Sequence, residues 1–291
     1  MPLCITRDPE EFSRQAGTFL ESALERNVLA TVFRLSRERD AYGRAEPLYA
    51  FHLEPETGQL TAVALRTPPW PLLADGFDNP DLAAELVHQW IQYDPEVPGV
   101  TARPATAQAI SAAWSRKTGG FAHRQFLEAM HILTQVIPPE RAAPGQLRLA
   151  TARDRDVLVG WDRQFAIETG LGTGENAERM VDIRIAARRQ MVWEDGGVPV
   201  STVGFNPEVA GTVRVGPVYT PPELRGQGYA TAAVASASQM LLERGAERCM
   251  LFTDLANPIS NHIYASVGYV RFGDWEQHGF HAAGGSAVTT S

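Results

Sequence analysis

The stretch VYTPPELRGQGYATAAVASASQMLL, residues 218–242, carries most of the fold information in this chain. It reads as the end of a strand, a Pro-rich turn, a Gly-rich loop and a long helix of small residues. Gly226 and Gly228 leave backbone N–H groups unshielded at the helix start, where unpaired donors and the positive dipole end favour a phosphate. Arg225 can add a charge-assisted contact. The stretch therefore predicts a rigid anion-binding loop.

Two familiar nucleotide-binding motifs do not fit this loop. A nucleotide P-loop ends in Gly-Lys-Ser/Thr, whereas the single lysine of the chain, Lys117, lies in the other half. A dinucleotide fingerprint needs a third glycine at the position of Thr231. Another kind of phosphate-bearing ligand is therefore expected.

The residues around the loop predict a mixed α/β order. Asp154 can cap a helix that runs to Thr169, and Gly196 and Gly197 supply the turn of a hairpin. The other predicted elements are strands at 147–151, 190–194, 198–205, 212–220, 249–253 and 269–275, and helices at 176–189, 228–244 and 258–267.

Composition narrows the function classes. The 291 residues are 44% hydrophobic and 21% charged, which is ordinary for a globular protein. The net charge of −8 and the scattered arginines exclude a nucleic-acid surface. Two unpaired cysteines indicate a reducing compartment, and no apolar run is long enough for a membrane span or a signal peptide. We expect a cytoplasmic protein without a membrane or nucleic-acid partner.

At this point the residues resemble the GNAT superfamily of N-acetyltransferases. Its loop signature, Gln/Arg-x-x-Gly-x-Gly/Ala, is filled by Arg225, Gly226, Gln227, Gly228, Tyr229 and Ala230. A second block, LFTDLANPISNHIYASVGYV, is similar to the family's Asn-x-x-x-Asn-x-x-Tyr followed by Gly-Tyr, here Asn257, Asn261, Tyr264, Gly268 and Tyr269. The resemblance covers residues 147–280, and two independent blocks at the right separation make it specific.

The resemblance implies an enzyme that moves an acetyl group from acetyl-CoA to a primary amine by direct attack in a ternary complex. The implied coenzyme contacts are the backbone of Val218, Tyr219 and Thr220 with pantetheine, the amides of 226–230 with the pyrophosphate, and the side chains of Asn257 and Asn261. Tyr264 would protonate the departing CoA thiolate, and a main-chain N–H near Val218 would stabilise the oxyanion. The acceptor would be a small-molecule or peptide amine.

The general base stays open at this stage. Glu168, Glu194 and Asp254 are the candidates, and Asp254 is equally well explained as a turn or helix N-terminal residue. Neither Cys4 nor Cys249 has an adjacent base, which disfavours a ping-pong mechanism. His262 reads as a surface residue, and no metal site is expected. A rival hypothesis is a non-catalytic module that binds acyl-CoA for regulation.

The N-terminal half predicts a similar order without the loop. A helix from Asp8 to Arg34 precedes strands at 48–53, 60–65 and 100–103 and helices at 81–93 and 106–117. Where the loop should follow the hairpin, the chain reads TPPWPLLADGFDNPD, residues 67–81. We interpret this half as a degenerate GNAT-like domain that binds no CoA, as in tandem members of the family. The alternative is an unrelated α/β domain, in which Trp70, Leu72 and Leu73 are either core or an acceptor-pocket wall.

The Pro- and Gly-rich stretch IPPERAAPGQ, residues 137–146, is the best linker candidate. The expected division is a degenerate domain at 1–143, an acetyltransferase domain at 144–281 and a flexible tail at 282–291. The fold class is then α/β (α+β), with two tandem mixed, mostly antiparallel sheets flanked by helices.

Overall fold

The computed structural model describes residues 3–38 and 46–283. The first half of the chain contains β1 (Leu3–Thr6), α1 (Pro9–Glu21), α2 (Asn27–Ser36), β2 (Leu48–Leu53), β3 (Leu60–Arg66), β4 (Leu72–Asp75), α3 (Pro80–Tyr93), β5 (Gly99–Ala102), α4 (Pro104–Thr118) and β6 (Phe121–Leu133). The second half contains β7 (Gln146–Leu149), α5 (Arg155–Glu168), α6 (Ala177–Ala186), β8 (Gln190–Asp195), β9 (Val198–Phe205), β10 (Thr212–Tyr219), α7 (Tyr229–Glu243), β11 (Arg248–Asp254), α8 (Pro258–Val267) and β12 (Val270–His281).

Both halves repeat one order of elements: strand, two helices, three strands, helix, strand, helix, strand. The strands pair mostly antiparallel, whereas β4 pairs in parallel with β5 and β10 pairs in parallel with β11. The predicted α/β fold class, with mixed, mostly antiparallel strands and flanking helices, is confirmed, but the strands form one 12-stranded sheet instead of two separate sheets. None of the described helices is long and apolar enough to cross a membrane.

The compact units do not follow the division predicted at 143/144. The first unit combines Met1–Ala129 with Gly273–Ser291, and the second is Met130–Phe272. β6 and β12 each cross a boundary, so the last strand of the chain contributes most of its residues to the first unit. The tail predicted at 282–291 lies outside the described residues from position 284 onward.

In the first unit the strand order is β1-β2-β3-β4-β5-β12. Residues 276–279 of β12 pair antiparallel with residues 99–102 of β5. The core lies under α3 and α4, where Leu86, Trp90 and Ile110 are buried. Leu72 belongs to this core and is 2% exposed, while Trp70 is 38% exposed. Leu72 is therefore a core residue and not a pocket wall.

In the second unit the strand order is β11-β10-β9-β8-β7. One face is covered by α7, the predicted helix of small residues, through the buried Ala233, Ala237 and Leu241. The other face is covered by α5 and α6 through Leu158, Val181 and their neighbours. Small residues on α7 let this helix lie close to the sheet, which holds its N-terminal loop in place.

Several local predictions are wrong, and tertiary contacts explain them. The single helix predicted from Asp8 to Arg34 is two helices, because Ala23 is extended and the Arg26 side chain turns to the buried carboxylate of Asp75. β1, β4 and β6 were not predicted from the sequence. Asp154 does not cap α5 with its side chain; it accepts from the Thr151 N–H and binds Arg148 through two hydrogen bonds of 2.8 Å.

Candidate active site

The Gly-rich loop between β10 and α7 is open to solvent. Arg225, Gly226, Gln227 and Gly228 are all exposed. Gly226 and Gly228 have φ angles of +76° and +84°, which glycine adopts without strain. A Cβ at Gly226 would meet nothing within 4 Å, and one at Gly228 would meet only Ala143, at 3.7 Å. The backbone of the loop is therefore accessible to a ligand.

The amides of this loop are not used by the protein. The first hydrogen bond of α7 runs from the Ala232 N–H to the Gly228 carbonyl, at 3.0 Å. Among the described residues, the N–H groups of residues 226–231 make no hydrogen bond. Unpaired donors at the positive end of a helix, here one of 15 residues, are the chemical groups that favour an anion.

The corresponding helix of the first half, α3, has no such donors. Its N-cap Asn79 accepts from the N–H groups of Asp81 and Leu82, at 2.8 and 3.2 Å, and Pro80 has no N–H to donate. The first turn also carries the negative charge of Asp81. Both features oppose anion binding, which agrees with the absence of the loop signature from this half.

The side chain of Arg225 already contacts three groups of the protein. Its Nε donates to the Thr220 carbonyl at 2.8 Å, and its Nη2 donates to Glu168 Oε2 at 2.6 Å. The guanidinium carbon lies 5.6 Å from the centre of the Tyr219 ring. The contact predicted between Arg225 and a phosphate therefore requires sharing or breaking the ion pair with Glu168.

A cleft opens between β10 and β11. The two strands pair in parallel only over residues 212–214 and 248–250, although they continue to Tyr219 and Asp254. On its other side, β10 pairs with β9 and has a bulge between Val215 and Val218. The edge of β10 that faces β11 is therefore free of β-pairing from Val215 onward within the described residues. Its backbone groups can bind an extended ligand.

Some backbone carbonyls at the end of β10 already accept hydrogen bonds from side chains of the protein. The Tyr219 carbonyl accepts from Ser201 Oγ at 3.1 Å, and the Thr220 carbonyl accepts from Arg225. Thr220 Oγ1 also lies 2.8 Å from Ser201 Oγ. Of the three residues predicted to contact pantetheine through their backbone, Val218 has no side-chain hydrogen bond to its carbonyl or N–H in the described residues.

The second sequence block forms α8 beside this cleft. Asn257 is the N-cap of α8, and its side chain accepts from the Ser260 N–H at 3.1 Å. Asn261 Nδ2 donates to the carbonyls of Asp254 and Leu255, at 3.3 Å each. Its Oδ1 is buried and has no hydrogen-bond partner among the described residues. Asn261 thus retains an acceptor for a ligand, whereas Asn257 has a structural role already.

Tyr264 is half-buried on α8, with its ring 6.0 Å from that of Tyr269 in an edge arrangement. Its hydroxyl makes no hydrogen bond to any described residue. Burial raises the pKa of Tyr264 to about 12. The phenol is therefore protonated at neutral pH and has a proton to donate.

The three candidate bases differ in the ion pairs and hydrogen bonds that their carboxylates already make. Glu194 forms an ion pair with Arg148 at 2.6 Å, and Glu168 is bound by Arg225 and by the Tyr219 hydroxyl. Asp254 Oδ1 accepts from the Ala256 N–H at 2.8 Å, which is the turn role anticipated for it. Only Asp254 lies at the end of β11, on the cleft.

Sequence reasoning missed contacts between residues far apart in the chain. Tyr229 is buried, and its hydroxyl donates to Asp195 Oδ2 at 2.7 Å, which ties α7 to the β8–β9 hairpin. Ala143 of the supposed linker lies next to Gly228. No local sequence pattern predicts these two contacts, because the residues in each contact are 34 or more positions apart. Cys249 is buried and its pKa is raised to about 12, so it is not a nucleophile.

Comparison with known proteins agrees with this geometry. Residues 155–269 match the model of the acetyltransferase (GNAT) family. This segment is a GNAT domain. No curated protein matches the chain. The GNAT domain and the rest of the chain resemble several solved structures, all at low sequence identity, so these show a common fold.

Three of these structures span almost the whole chain. A GCN5-related N-acetyltransferase from Sphaerobacter thermophilus is 15% identical, covers 96% of this chain and 95% of its own, and has a TM-score of 0.59. A GNAT-family acetyltransferase from Colwellia psychrerythraea is 11% identical, with coverages of 97% and 100% and a TM-score of 0.60. A tandem GNAT protein from the clavulanic acid biosynthesis pathway is 12% identical, with coverages of 98% and 99% and a TM-score of 0.54.

Proposed function

We propose that the protein is an acyl-CoA-dependent N-acetyltransferase that transfers an acetyl group from acetyl-CoA to a primary amine by direct attack. The observation that carries the proposal is the row of unpaired amides at residues 226–231, at the start of α7 in a GNAT domain. Members of this family are acyltransferases, and a diphosphate is the anion that an acyl-CoA presents to such a loop.

The cleft beside the loop fits the rest of a coenzyme. The edge of β10 from Val215 to Tyr219 has unpaired backbone toward β11, which suits the amides of a pantetheine arm. The orphaned Oδ1 of Asn261 is a buried acceptor, and a buried acceptor without a partner is costly unless a ligand supplies a donor. These features support a coenzyme that runs from the loop toward α8.

Three groups of the protein would share the roles of general acid, oxyanion donor and general base. Bound acetyl-CoA would supply a thioester, whose acyl carbon the amine attacks. Tyr264 lies on α8 and is a neutral phenol at physiological pH, so it would donate its proton to the leaving thiolate. A main-chain N–H near Val218 would stabilise the oxyanion. Asp254 is the candidate base, since its second oxygen, Oδ2, has no partner among the described residues.

We infer that the first half is a degenerate GNAT-like domain and that each chain binds one coenzyme. Where β10 and β11 separate, β4 and β5 pair through residues 72–74 and 100–102, almost to their ends. Just beyond, the buried Asp75 is held by Arg26 at 2.8 Å and by Arg103 at 2.8 Å. Among the described residues, the side chains around Asp75 and the capped N-terminus of α3 therefore offer no free N–H groups for a diphosphate there.

The acceptor is proposed to be a small-molecule or peptide amine met in the cytoplasm, and no nucleic acid or membrane is needed. The net charge of −8 favours approach of a cationic amine.

Calorimetry with CoA on the full chain, followed by free-thiol release from acetyl-CoA with a panel of amines, tests the proposal. One site per chain and amine-dependent thiol release are expected. Gly228→Asp should abolish binding, because its carboxylate would cap α7 and repel the diphosphate. Gly58→Asp is the matched control, since Gly58 also has a positive φ, +68°, and open space for a side chain. CoA binding without turnover for any amine would favour the rival regulatory module; no binding at all would reject both.

A further inference from the structure

Glu168 joins three elements of the GNAT domain. It is the last residue of α5, its Oε2 accepts from Arg225 Nη2 at 2.6 Å, and its Oε1 accepts from the Tyr219 hydroxyl at 2.8 Å. Arg225 precedes the Gly-rich loop, and Tyr219 ends β10. The Glu168 carboxylate therefore connects the end of α5 both to the start of the Gly-rich loop and to the end of β10.

The residues after Glu168 continue directly from the end of α5. The N–H groups of Thr169, Gly170 and Leu171 donate back to the carbonyls of the last turn of α5, at 3.0, 3.2 and 2.9 Å. The chain then continues with positive φ angles of +125° at Gly172 and +72° at Gly174. Glycines of this kind lower the local resistance to opening.

The ion pair is suited to exchange partners. Burial opposes ionisation of Glu168, but the hydrogen bonds from Arg225 and Tyr219 outweigh it and lower its pKa, so the carboxylate is charged at neutral pH. The two side chains are 47% and 41% exposed, and exposed ion pairs of this kind are weak. A guanidinium binds a phosphate group through two parallel hydrogen bonds, which is a stronger arrangement than the single contact to Glu168.

We propose that Glu168 and the coenzyme's diphosphate compete for Arg225, so that coenzyme binding releases the end of α5. This inference rests on the proposed function of the Gly-rich loop. Without coenzyme, Glu168 holds the guanidinium against Tyr219. With coenzyme, Arg225 turns to the diphosphate, Glu168 keeps only the Tyr219 hydroxyl, and the hydrogen bonds at residues 169–171 open more often. Glu168 is thus a positioning residue that sets coenzyme affinity and couples it to the glycine-containing segment after α5.

Affinity is the first test. Glu168→Gln keeps an acceptor for Tyr219 but loses the charge that competes for Arg225, so CoA should bind about three- to fivefold more tightly to the full chain by calorimetry. Glu178→Gln is the matched control, because Glu178 also forms an exposed ion pair with an arginine, Arg163, at 2.7 Å. Its CoA affinity should be unchanged. In an Arg225→Gln background, adding Glu168→Gln should change the affinity less than about twofold, since the competition has been removed.

Amide hydrogen exchange on the unmodified protein is the second test and needs no variant. Adding CoA should increase the exchange rates of the amides of Thr169, Gly170 and Leu171, and this response should be absent from Glu168→Gln. Weaker or equal CoA binding by Glu168→Gln, or slower exchange of these amides with CoA, would overturn the inference while leaving the coenzyme site intact. Failure of CoA to bind the unmodified protein would instead reject the proposed function.

Discussion

Single residues of the site differ in whether the fold already uses their polar groups. The Tyr264 hydroxyl and Asn261 Oδ1 have no partner among the described residues, while the Asn257 side chain is spent on the backbone of α8. An unpaired polar group that a fold tolerates in a half-buried position is a good candidate for ligand contact.

Tyr264→Phe should lower turnover of acetyl-CoA about 100-fold or more, because it removes the proton donor for the leaving thiolate. The affinity for CoA should stay within about twofold, since the hydroxyl has no other partner to lose. Steady-state kinetics and calorimetry measure the two quantities. An unchanged turnover would remove Tyr264 from the mechanism.

Asp154 is a residue whose charge stabilises the second unit. The hydrogen bonds from Arg148 lower its pKa, against the opposing effect of burial. A carboxylate with a lowered pKa contributes stability that is complete above its ordinary pKa of 3.8 and is lost as the pH falls through the lower folded-state value.

Asp154→Asn should therefore lower the free energy of unfolding by about 2–3 kcal/mol at neutral pH. The difference from the unmodified protein should shrink as the pH falls below 3.8. Denaturant titrations at several pH values measure both effects. Asp182→Asn, which breaks an exposed pair with Arg155, should cause no measurable change and serves as the control. A pH-independent difference would contradict the role assigned to the Asp154 charge.

At the scale of elements, the helices differ in how their N-termini are capped. α3 and α8 start with asparagines that accept from their own first-turn N–H groups, whereas α7 starts with Gly228, which has no side chain to offer. The absence of a side-chain cap leaves the donors of α7 for a ligand. The missing cap of α7 therefore supports the proposal that this helix N-terminus binds the coenzyme.

Two substitutions at Asn257 separate capping from coenzyme binding. Asn257→Ala should cost about 1 kcal/mol of stability by loss of the cap, and Asn257→Asp should retain that stability. If the side chain also binds pantetheine, both variants should bind CoA more weakly, although only one is destabilised. Thermal unfolding and calorimetry give the two readings. Full CoA affinity in both variants would restrict Asn257 to its role as a cap.

At the scale of the molecule, the first unit is completed by the last strand of the chain. Trp275 is 1% exposed, Phe280 stacks on Trp114 at 4.5 Å, and His278 bonds to Ser111 at 2.8 Å. Glu276 binds Arg124 at 3.0 Å. The first unit therefore depends on residues that are more than 140 positions away from the rest of it.

Trp275→Ala should destabilise the first unit by about 3–5 kcal/mol, as expected for a fully buried aromatic side chain. Phe272→Ala, at an exposed neighbouring position of the second unit, should change stability by less than about 0.5 kcal/mol. Denaturant unfolding with and without CoA distinguishes the units, because CoA stabilises the unit that binds it. If Trp275→Ala weakened only the transition that CoA shifts, Trp275 would belong to the second unit.

The sequence by itself determined the elements with strong local signals and the position of the Gly-rich loop before α7. The hairpin glycines, the small-residue face of α7 and the two motif blocks are local patterns, and the structure places all of them as predicted. The break between α1 and α2, by contrast, follows from Arg26 reaching Asp75, a partner 49 residues away. Local propensity holds no information about that distance.

Only the tertiary structure decided which unit the last strand completes, and which polar groups of the site are free. The sequence predicts a strand at 269–275, but β12 runs on to His281, and its residues 276–279 pair with β5, which is set by long-range pairing. Likewise, the motif predicts ligand contacts for Arg225 and Asn257, whereas in the structure Arg225 binds Glu168 and Asn257 caps α8. Motif spacing specifies the position of a side chain along the sequence. The donors and acceptors that remain without a partner in the folded protein specify what that side chain can still bind.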